Sequence, residues 1–463
     1  MISFNDCIAA ISTPPGKGGV SVIRLSGEGA FRIAEQIFTP KSKKRLTEYP
    51  RRTLVYGDIE KGGEHLDDCL AVCFDKGSSF TGEETVEFNC HGGVLVTRCV
   101  LEALITAGAR LACKGEFTKR AFINGKLTLT SAEAIGNLLD AKSEEQLKLL
   151  GSSSRERLDR RIYEIKKSLT DVLSSAYARI DYPDEDLGDF SDSELANRLS
   201  SAKDSLDKLI ATYRTGRAIN EGIATVICGK PNVGKSTLYN LLCGEDAAIV
   251  TDIGGTTRDV LERSVPLGRV MLNLADTAGI RESSDTVEAI GIERSKEKMK
   301  KSELILALFD LSRPLDEEDT DILDMLNECQ GTKIALVNKA DSKCDGFDTA
   351  LIKSRFTDVL EISAKDAEED TLLAITGAVD RLFTDGEIRT GEDAIISSSR
   401  QYAALSRASE FLSYATEALK IGFSQDAASS DVERALGALS EVDGRGVSEE
   451  IVNDIFAKFC VGK

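Results

Sequence analysis

The chain has little of what zinc clusters and disulfide frameworks are built from. Its 463 residues include only two histidines, and its eleven cysteines contain no Cys-x-x-Cys pair. The composition argues against both, and a reducing cytosol fits best. No apolar run approaches the roughly 18–20 residues of a spanning helix, and no secretory signal is recognisable. The expectation is a soluble, cytoplasmic protein with no membrane partner. Positive charge is scarce too. A net charge of −19 and a pI near 4.8 argue against indiscriminate nucleic-acid binding over the whole surface. The deficit is uneven, because residues 1–118 hold 14 Lys+Arg against 15 Asp+Glu. Within them Lys41, Lys43, Lys44, Arg45, Arg51 and Arg52 cluster, either as a solvated loop or as a phosphate-contacting patch.

What is present is organised around Ile223–Leu242, IATVICGKPNVGKSTLYNLL. A β-branched run, Ala224–Ile227, enters a loop, Gly229–Ser236, that fits G-x-x-x-x-G-K-[ST]. Leu238, Leu241 and Leu242 then recur at helical spacing. This is strand, phosphate loop and helix. The glycines let backbone N–H groups turn inward around a polyphosphate, Lys235 reaches the β/γ oxygens, and the Ser236 hydroxyl suits Mg²⁺.

Around this segment the chain reads as several blocks. Residues 1–118 mix short strands and helices, with strand-like runs at Thr53–Ile59, Cys69–Phe74 and Thr85–Asn89 and a helix over Val94–Ala107. Two further strands flank the Pro14–Gly19 turn, and a helix spans Gly29–Ile37. FTGEE (Phe80–Glu84) and CHGG (Cys90–Gly93) look like tight loops, and His91 alone is more often structural than catalytic. Residues 119–215 are helical almost throughout, in runs Ala132–Ala141, Glu144–Ser168, Leu169–Ile180 and Ser193–Tyr213. Residues 216–384 alternate strand and helix like a doubly wound sheet, and 385–463 turn helical again. The expected fold class is multidomain: an N-terminal α+β domain, an all-α domain, and an α/β domain inserted into the helical one.

The α/β block carries four more elements in order. Thr251–Asp259, TDIGGTTRD, is a switch-like stretch in which Thr257 would complete the Mg²⁺ shell. Asp276–Gly279, DTAG, follows a strand; Asp276 would bind Mg²⁺ indirectly and the Gly279 amide would sense the γ-phosphate. Asn338–Asp341, NKAD, offers a carboxylate that accepts from the guanine N1–H and N2–H₂ edge and repels adenine. Ser363–Lys365, SAK, can meet the guanine O6 with its backbone. Together they place GTP against Asn232, Val233, Gly234, Lys235, Ser236 and Thr237, against Thr251, Asp252, Ile253, Gly254, Gly255, Thr256 and Thr257, and against Asp276, Thr277, Ala278 and Gly279. The base end is Asn338, Lys339, Ala340 and Asp341 with Ser363, Ala364 and Lys365. The set resembles the P-loop GTPases of the translation-factor class. After DTAG stands apolar Ile280, which cannot orient a water, and no arginine finger is identifiable. Asn232 could instead hold a monovalent cation beside the β/γ phosphates, completed by carbonyls of the Thr251–Thr256 loop.

GKPNVGKS, DIGGTTRD, DTAGIRESSDTVEAIGIE and the terminal FCVGK resemble the MnmE/TrmE family of tRNA-modification GTPases, as do TPPGKGGVSVIRLSG, FTGEETVEFNCHGG and GEFTKRAFINGKLTL. The resemblance spans the chain. It implies a cytoplasmic homodimer built through N-terminal domains similar to tetrahydrofolate-binding folds. It also implies an FAD-dependent partner, MnmG (GidA), in a heterotetramer or larger complex. With that partner the family adds aminomethyl or carboxymethylaminomethyl groups at C5 of the wobble uridine (position 34) of certain tRNAs. By the same resemblance K⁺, held by Asn232, Thr251, Ile253 and Thr256, stimulates hydrolysis as G domains dimerise, while Ser236 and Thr257 bind Mg²⁺. Lys235, Asn232 and Gly279 act catalytically, and Glu288 orients the attacking water. Arg24, Glu87, Lys126 and Lys463 would hold 5-formyltetrahydrofolate or a related folate. Cys460 matches the family's C-terminal cysteine, as a reactive thiol or a merely exposed one. Arg258 and Arg281 look like switch electrostatics. The other reading is a ribosome-assembly or transport GTPase with an unrelated front domain.

Overall fold

The computed structural model describes residues 6–181, 192–244, 262–275, 297–421 and 425–463. The switch stretch Thr251–Asp259, DTAG with Ile280 and Arg281, and Glu288 lie outside the described residues. The chain divides into two compact units, residues 1–139 with 437–463, and residues 140–436.

The first unit is built on a seven-stranded sheet in the order β3-β4-β5-β6-β2-β1-β7. Its strands are β1 (Ile8–Ile11), β2 (Val20–Ser26), β3 (Phe38–Pro40), β4 (Val55–Lys61), β5 (Glu64–Phe74), β6 (Thr85–His91) and β7 (Arg110–Leu111). All pairs are antiparallel except β1 with β7. Helices α1 (Ala30–Ile37) and α2 (Val94–Thr106) close a core in which Ile23, Leu25, Ala71, Val86 and Phe88 alternate inward from the strands. The tight turn and both helices fall where the periodicity puts them. The strands β3 and β7 do not show in the sequence, because two or three residues cannot display an alternation.

Further along are α3 (Glu116–Ile123), α4 (Leu129–Leu139) and, at the C-terminus, α15 (Glu449–Ala457). The last residues dock beside β1 and α3. Phe117 N–H donates to the Lys463 carbonyl at 3.2 Å and Ser12 Oγ donates to the Gly462 carbonyl at 3.2 Å. Gly462 has φ +97°, and a Cβ there would meet the Ile11 carbonyl oxygen at 2.3 Å, so only glycine fits.

Arg120 is fully buried in this unit. Its guanidinium reaches Asp6 at 2.6 Å, Glu116 at 2.9 Å and Glu83 at 3.3 Å. Burial pushes the Glu116 carboxyl up, but hydrogen bonds from Arg110, the Cys113 N–H and Arg120 outweigh it and leave its pKa lowered. A lowered folded pKa contributes stability above the unfolded value of about 4.3, lost as pH falls through the folded one. Arg120→Met should strand these carboxylates and cost about 3–5 kcal/mol. Urea unfolding of the full chain measures it, and a midpoint unchanged from wild type would contradict the account.

Half of the basic cluster is neutralised. Lys41 bridges Asp58 at 2.5 Å and Asp68 at 3.2 Å, Arg45 pairs with Glu35 at 2.7 Å, and Arg51 pairs with Asp75 at 2.7 Å. The partners lie up to 27 residues away. A linear reading cannot see them, and the solvated-loop reading fits these ion pairs better than a phosphate patch.

In the second unit α5 (Glu144–Leu150), α6 (Ser152–Asp181), α7 (Asp192–Ala211) and α8 (Tyr213–Asn220) precede a six-stranded sheet. The expected break between Ser168 and Leu169 is absent, and the chain breaks instead at Gly151. Leu158, Ile162, Ile165, Leu169, Val172 and Ala176 are all buried at steps of four and three, a seam that runs unbroken through α6. The sheet order is β13-β12-β11-β8-β10-β9, comprising β8 (Ile223–Gly229), β9 (Glu262–Leu267), β10 (Val270–Ala275), β11 (Leu304–Asp310), β12 (Thr332–Asn338) and β13 (Asp358–Glu361). Only β9 with β10 is antiparallel. Every residue of β11 is buried, as a parallel strand covered on both faces requires. Helices α9 (Lys235–Cys243), α10 (Glu317–Asn327), α11 (Thr349–Arg355) and α12 (Glu368–Phe383) cover it. Beyond it come α13 (Ser399–Lys420) and α14 (Gln425–Val442). Helix α13 packs along α7, where Ser409 Oγ donates to Asp207 at 2.6 Å.

Candidate guanine-nucleotide site

Parallel strands share a direction, so their carboxyl ends form one edge, the usual place for a ligand in such sheets. Gly229 of β8 pairs with Leu308, and Asp310 of β11 pairs with Asn338 of β12. The phosphate loop and NKAD therefore leave the sheet side by side.

The loop's shape rests on positive φ values. Gly229 (φ +145°), Asn232 (φ +64°) and Gly234 (φ +106°) carry positive φ within six residues, the kind of backbone in which loop N–H groups can turn toward an anion. Gly234 caps α9 without any side-chain partner, so the first-turn N–H groups stay available to an anion. Lys235 Nζ donates to the Gly229 carbonyl at 2.8 Å and the Lys230 carbonyl at 2.6 Å, which holds the ammonium across the loop. Burial pulls its pKa below the usual lysine value. Asn232, Ser236 and Thr237 are exposed, and Val233 is buried under the loop. A hydroxyl oxygen at Ser236 and an amide oxygen at Asn232 are hard donors of the kind Mg²⁺ and K⁺ take. Their expected companions, Thr257 for Mg²⁺ and Thr251, Ile253 and Thr256 for K⁺, lie outside the described residues, as do Asp276 and Glu288.

The base end is tied to the phosphate end by one side chain. Asn338 Nδ2 donates to the Val233 carbonyl at 2.8 Å, and its Oδ1 accepts from the Ala364 N–H at 3.0 Å. One buried amide thus fixes the distance between the phosphate loop and SAK. Lys339 (φ +65°) places its Nζ 2.6 Å from Asp310. The Asp341 carboxylate is exposed, accepting from Ser342 Oγ at 2.7 Å and Ser363 Oγ at 2.8 Å. Those two hydrogen bonds, Ser342's first, hold its pKa below the ordinary carboxylate value, so it stays an acceptor. Ala340 N–H donates to the Ile362 carbonyl at 3.1 Å, and Lys365 is exposed. Every described residue of the expected phosphate and base sets is therefore on this edge. The double tie through Asn338 and the ion pairs of Lys230, described below, are not legible in a motif.

In the first unit Arg24 and Glu87 are cross-strand partners and form an ion pair at 2.8 Å. The Arg24 guanidinium lies 5.7 Å from the Phe80 ring centre and 5.5 Å from that of Phe117. Lys126 Nζ donates to the Gly77 carbonyl at 2.6 Å, in the loop that carries Phe80, and Lys463 meets Phe117 through its backbone. The structure thus brings Arg24 and Glu87 together directly and joins Lys126 and Lys463 to them through that loop and Phe117. The two aromatics escaped the sequence reading, although the exposed phenylalanine of FTGEE was a signal. Cys460 is exposed. His91 is held by Asp67, Nδ1 to Oδ1 at 2.6 Å, and that contact raises its pKa.

A glycine-turned amide cradle, a lysine across it, and a carboxylate at the far end of the same sheet edge are the arrangement of a P-loop nucleotide-binding protein. Comparison with known proteins agrees. A family model described as the MnmE helical domain matches residues 129–460, and one described as the GTP-binding protein TrmE N-terminus matches residues 7–126. A Clostridioides difficile protein named tRNA modification GTPase MnmE is 37% identical over 461 residues, covering 99% of this chain and 100% of its own length. A Thermoanaerobacter pseudethanolicus protein of that name is 39% identical over 461 residues, covering 99% of each. A solved structure of an Aquifex aeolicus Era variant bound to GDP.AlF4- is 25% identical over 40% of this chain and 65% of that one, with a TM-score of 0.27. The chain belongs to the MnmE family of tRNA modification GTPases. It is a GTP hydrolase, and no helix among the described residues is long and apolar enough to cross a membrane.

Proposed function

We propose that this protein couples GTP hydrolysis to tRNA modification, adding an aminomethyl or carboxymethylaminomethyl group at C5 of the wobble uridine with an FAD-carrying MnmG partner. The observation that carries the reading is Asn338, which ties the phosphate loop at Val233 to the SAK segment at Ala364 in a chain similar end to end to tRNA modification GTPases. GTP lies along that edge, its phosphates over Asn232–Thr237 and its base against Asp341 and Ser363–Lys365. Lys235 leaves its two carbonyls for the β/γ oxygens, and Asp341 accepts from the guanine edge. Mg²⁺ at Ser236, with Thr257, and K⁺ at Asn232, with Thr251, Ile253 and Thr256, would supply charge neutralisation on the phosphates. Glu288 is the residue proposed to orient water. The G domain, residues 216–384, is read as an insertion between helical segments 119–215 and 385–463, which the α7–α13 packing supports. Residues 1–118 are read as the homodimerising part. The Arg24–Glu87 pair between two aromatic rings suits a pterin edge, and Lys126 and Lys463 the glutamate tail of a folate.

The test is mass spectrometry of tRNA from cells lacking this protein. The C5 modification should vanish from wobble uridines and return on re-expression. Fully modified tRNA in the deleted strain would favour the ribosome-assembly or transport reading. In vitro, hydrolysis should be faster in KCl than in NaCl, and equal rates would remove K⁺ from the account.

A further inference from the structure

Lys230, the second residue of the phosphate loop, turns its ammonium onto the start of helix α10. It makes a short ion pair with Asp316 and lies 3.2 Å from Glu318 and 3.8 Å from Asp319. Arg313 approaches the same carboxylates, 2.9 Å from Asp316 and 3.1 Å from Asp319, and lies 3.9 Å from Asp310. Asp310 in turn holds Lys339. Asp316 and Asp319 form a capping box, which satisfies the first N–H groups of α10. The local fold therefore has its own reason for these acids.

Their location is costly for a different reason. They sit one lysine side chain away from a loop that must take a polyphosphate, within reach of an exposed charge screened over about 8 Å at physiological ionic strength. Asp319 is only 1% exposed, and its field is less screened than that of a surface group. Asp316 is ionised at neutral pH: the hydrogen bond from Lys230 leads the causes that hold its carboxyl at about 2. Lys230 itself is pushed down by burial but raised overall by Asp316 and Glu318.

We propose that Lys230 and Arg313 form a cationic shield between the acidic start of α10 and the phosphate loop, setting affinity in proportion to the negative charge of the nucleotide. Lys230 is a positioning residue that acts through these carboxylates. The inference rests on the loop being the GTP site and is independent of tRNA modification. A purely mechanical role is the alternative, since the Lys230 carbonyl also accepts from Lys235. The two differ in how the loss depends on ligand charge.

The experiment measures Kd for GMP, GDP and GTP on the full chain with Mg²⁺. Lys230→Met should weaken GTP on the order of 10-fold, GDP less, and GMP within about twofold. Added sodium chloride at fixed KCl should shrink the GTP loss. Lys230→Arg should bind nearly as wild type. Adding Asp316→Asn and Glu318→Gln to Lys230→Met should restore much of the affinity, because asparagine still caps a helix. An equal loss for all three nucleotides, unrelieved by salt, would overturn the shield in favour of the mechanical role. So would an unchanged GTP Kd in Lys230→Met. If the wild-type chain itself fails to prefer guanine over adenine nucleotides, the reading of the loop as a GTP site fails instead.

Discussion

Asp341→Asn should lower affinity for GTP by about 10²–10³-fold and raise affinity for xanthosine triphosphate, so that the preference between them reverses. In the proposed pose the carboxylate accepts from two guanine donors, and charge-assisted hydrogen bonds contribute about 1.5–3 kcal/mol each. An asparagine keeps one acceptor and turns an NH₂ toward the other donor. Xanthine carries a carbonyl at C2 where guanine has its amino group, which that NH₂ can meet. The site can tolerate the change: Ser342 and Ser363 donate to different oxygens of Asp341, so one hydroxyl keeps donating to the oxygen that remains while the other can turn to accept from the new NH₂. Competition binding with both triphosphates measures it. Unchanged guanine preference in the variant would remove Asp341 from base recognition.

Gly234→Ala should weaken binding of GTP and GDP alike by about 30- to 10³-fold while leaving the fold intact. Two costs add. Gly234 has φ +106° at the mouth of α9, a region that costs a residue with a Cβ about 1–3 kcal/mol. The new methyl would also lie 2.3 Å from Asn338 Nδ2, which could yield only by giving up its hydrogen bond to Val233, worth about 1 kcal/mol. The phosphate loop and the base corner would then lose their common tie. Circular dichroism checks the fold and titration calorimetry the binding. Affinity within about twofold of wild type would mean that the tie does not matter.

How far the chain could be read depends on whether the physics was local. Strand, loop and helix around Gly229–Ser236 were legible because backbone conformation there is dictated by glycines and apolar spacing within one short segment. NKAD and SAK were legible as motifs, but not the reason they work together, since Asn338 reaches a carbonyl 105 residues earlier. The same limit explains the basic cluster of residues 41–52, in which Lys41, Arg45 and Arg51 are taken up by Glu35, Asp58, Asp68 and Asp75. Helix α6 shows the opposite failure. Its seam was present in the sequence, and the polar residues around Ser168 hid it.

The central claim is that one sheet edge holds a triphosphate in a backbone cradle and selects guanine with Asp341. Its most direct test is hydrolysis of GTP and of ATP by the purified full chain with Mg²⁺ and K⁺, each in the presence of excess of the other. The account predicts turnover of GTP that excess ATP does not slow, and no turnover of ATP above background. Comparable hydrolysis of both, or inhibition of GTP turnover by ATP, would contradict it.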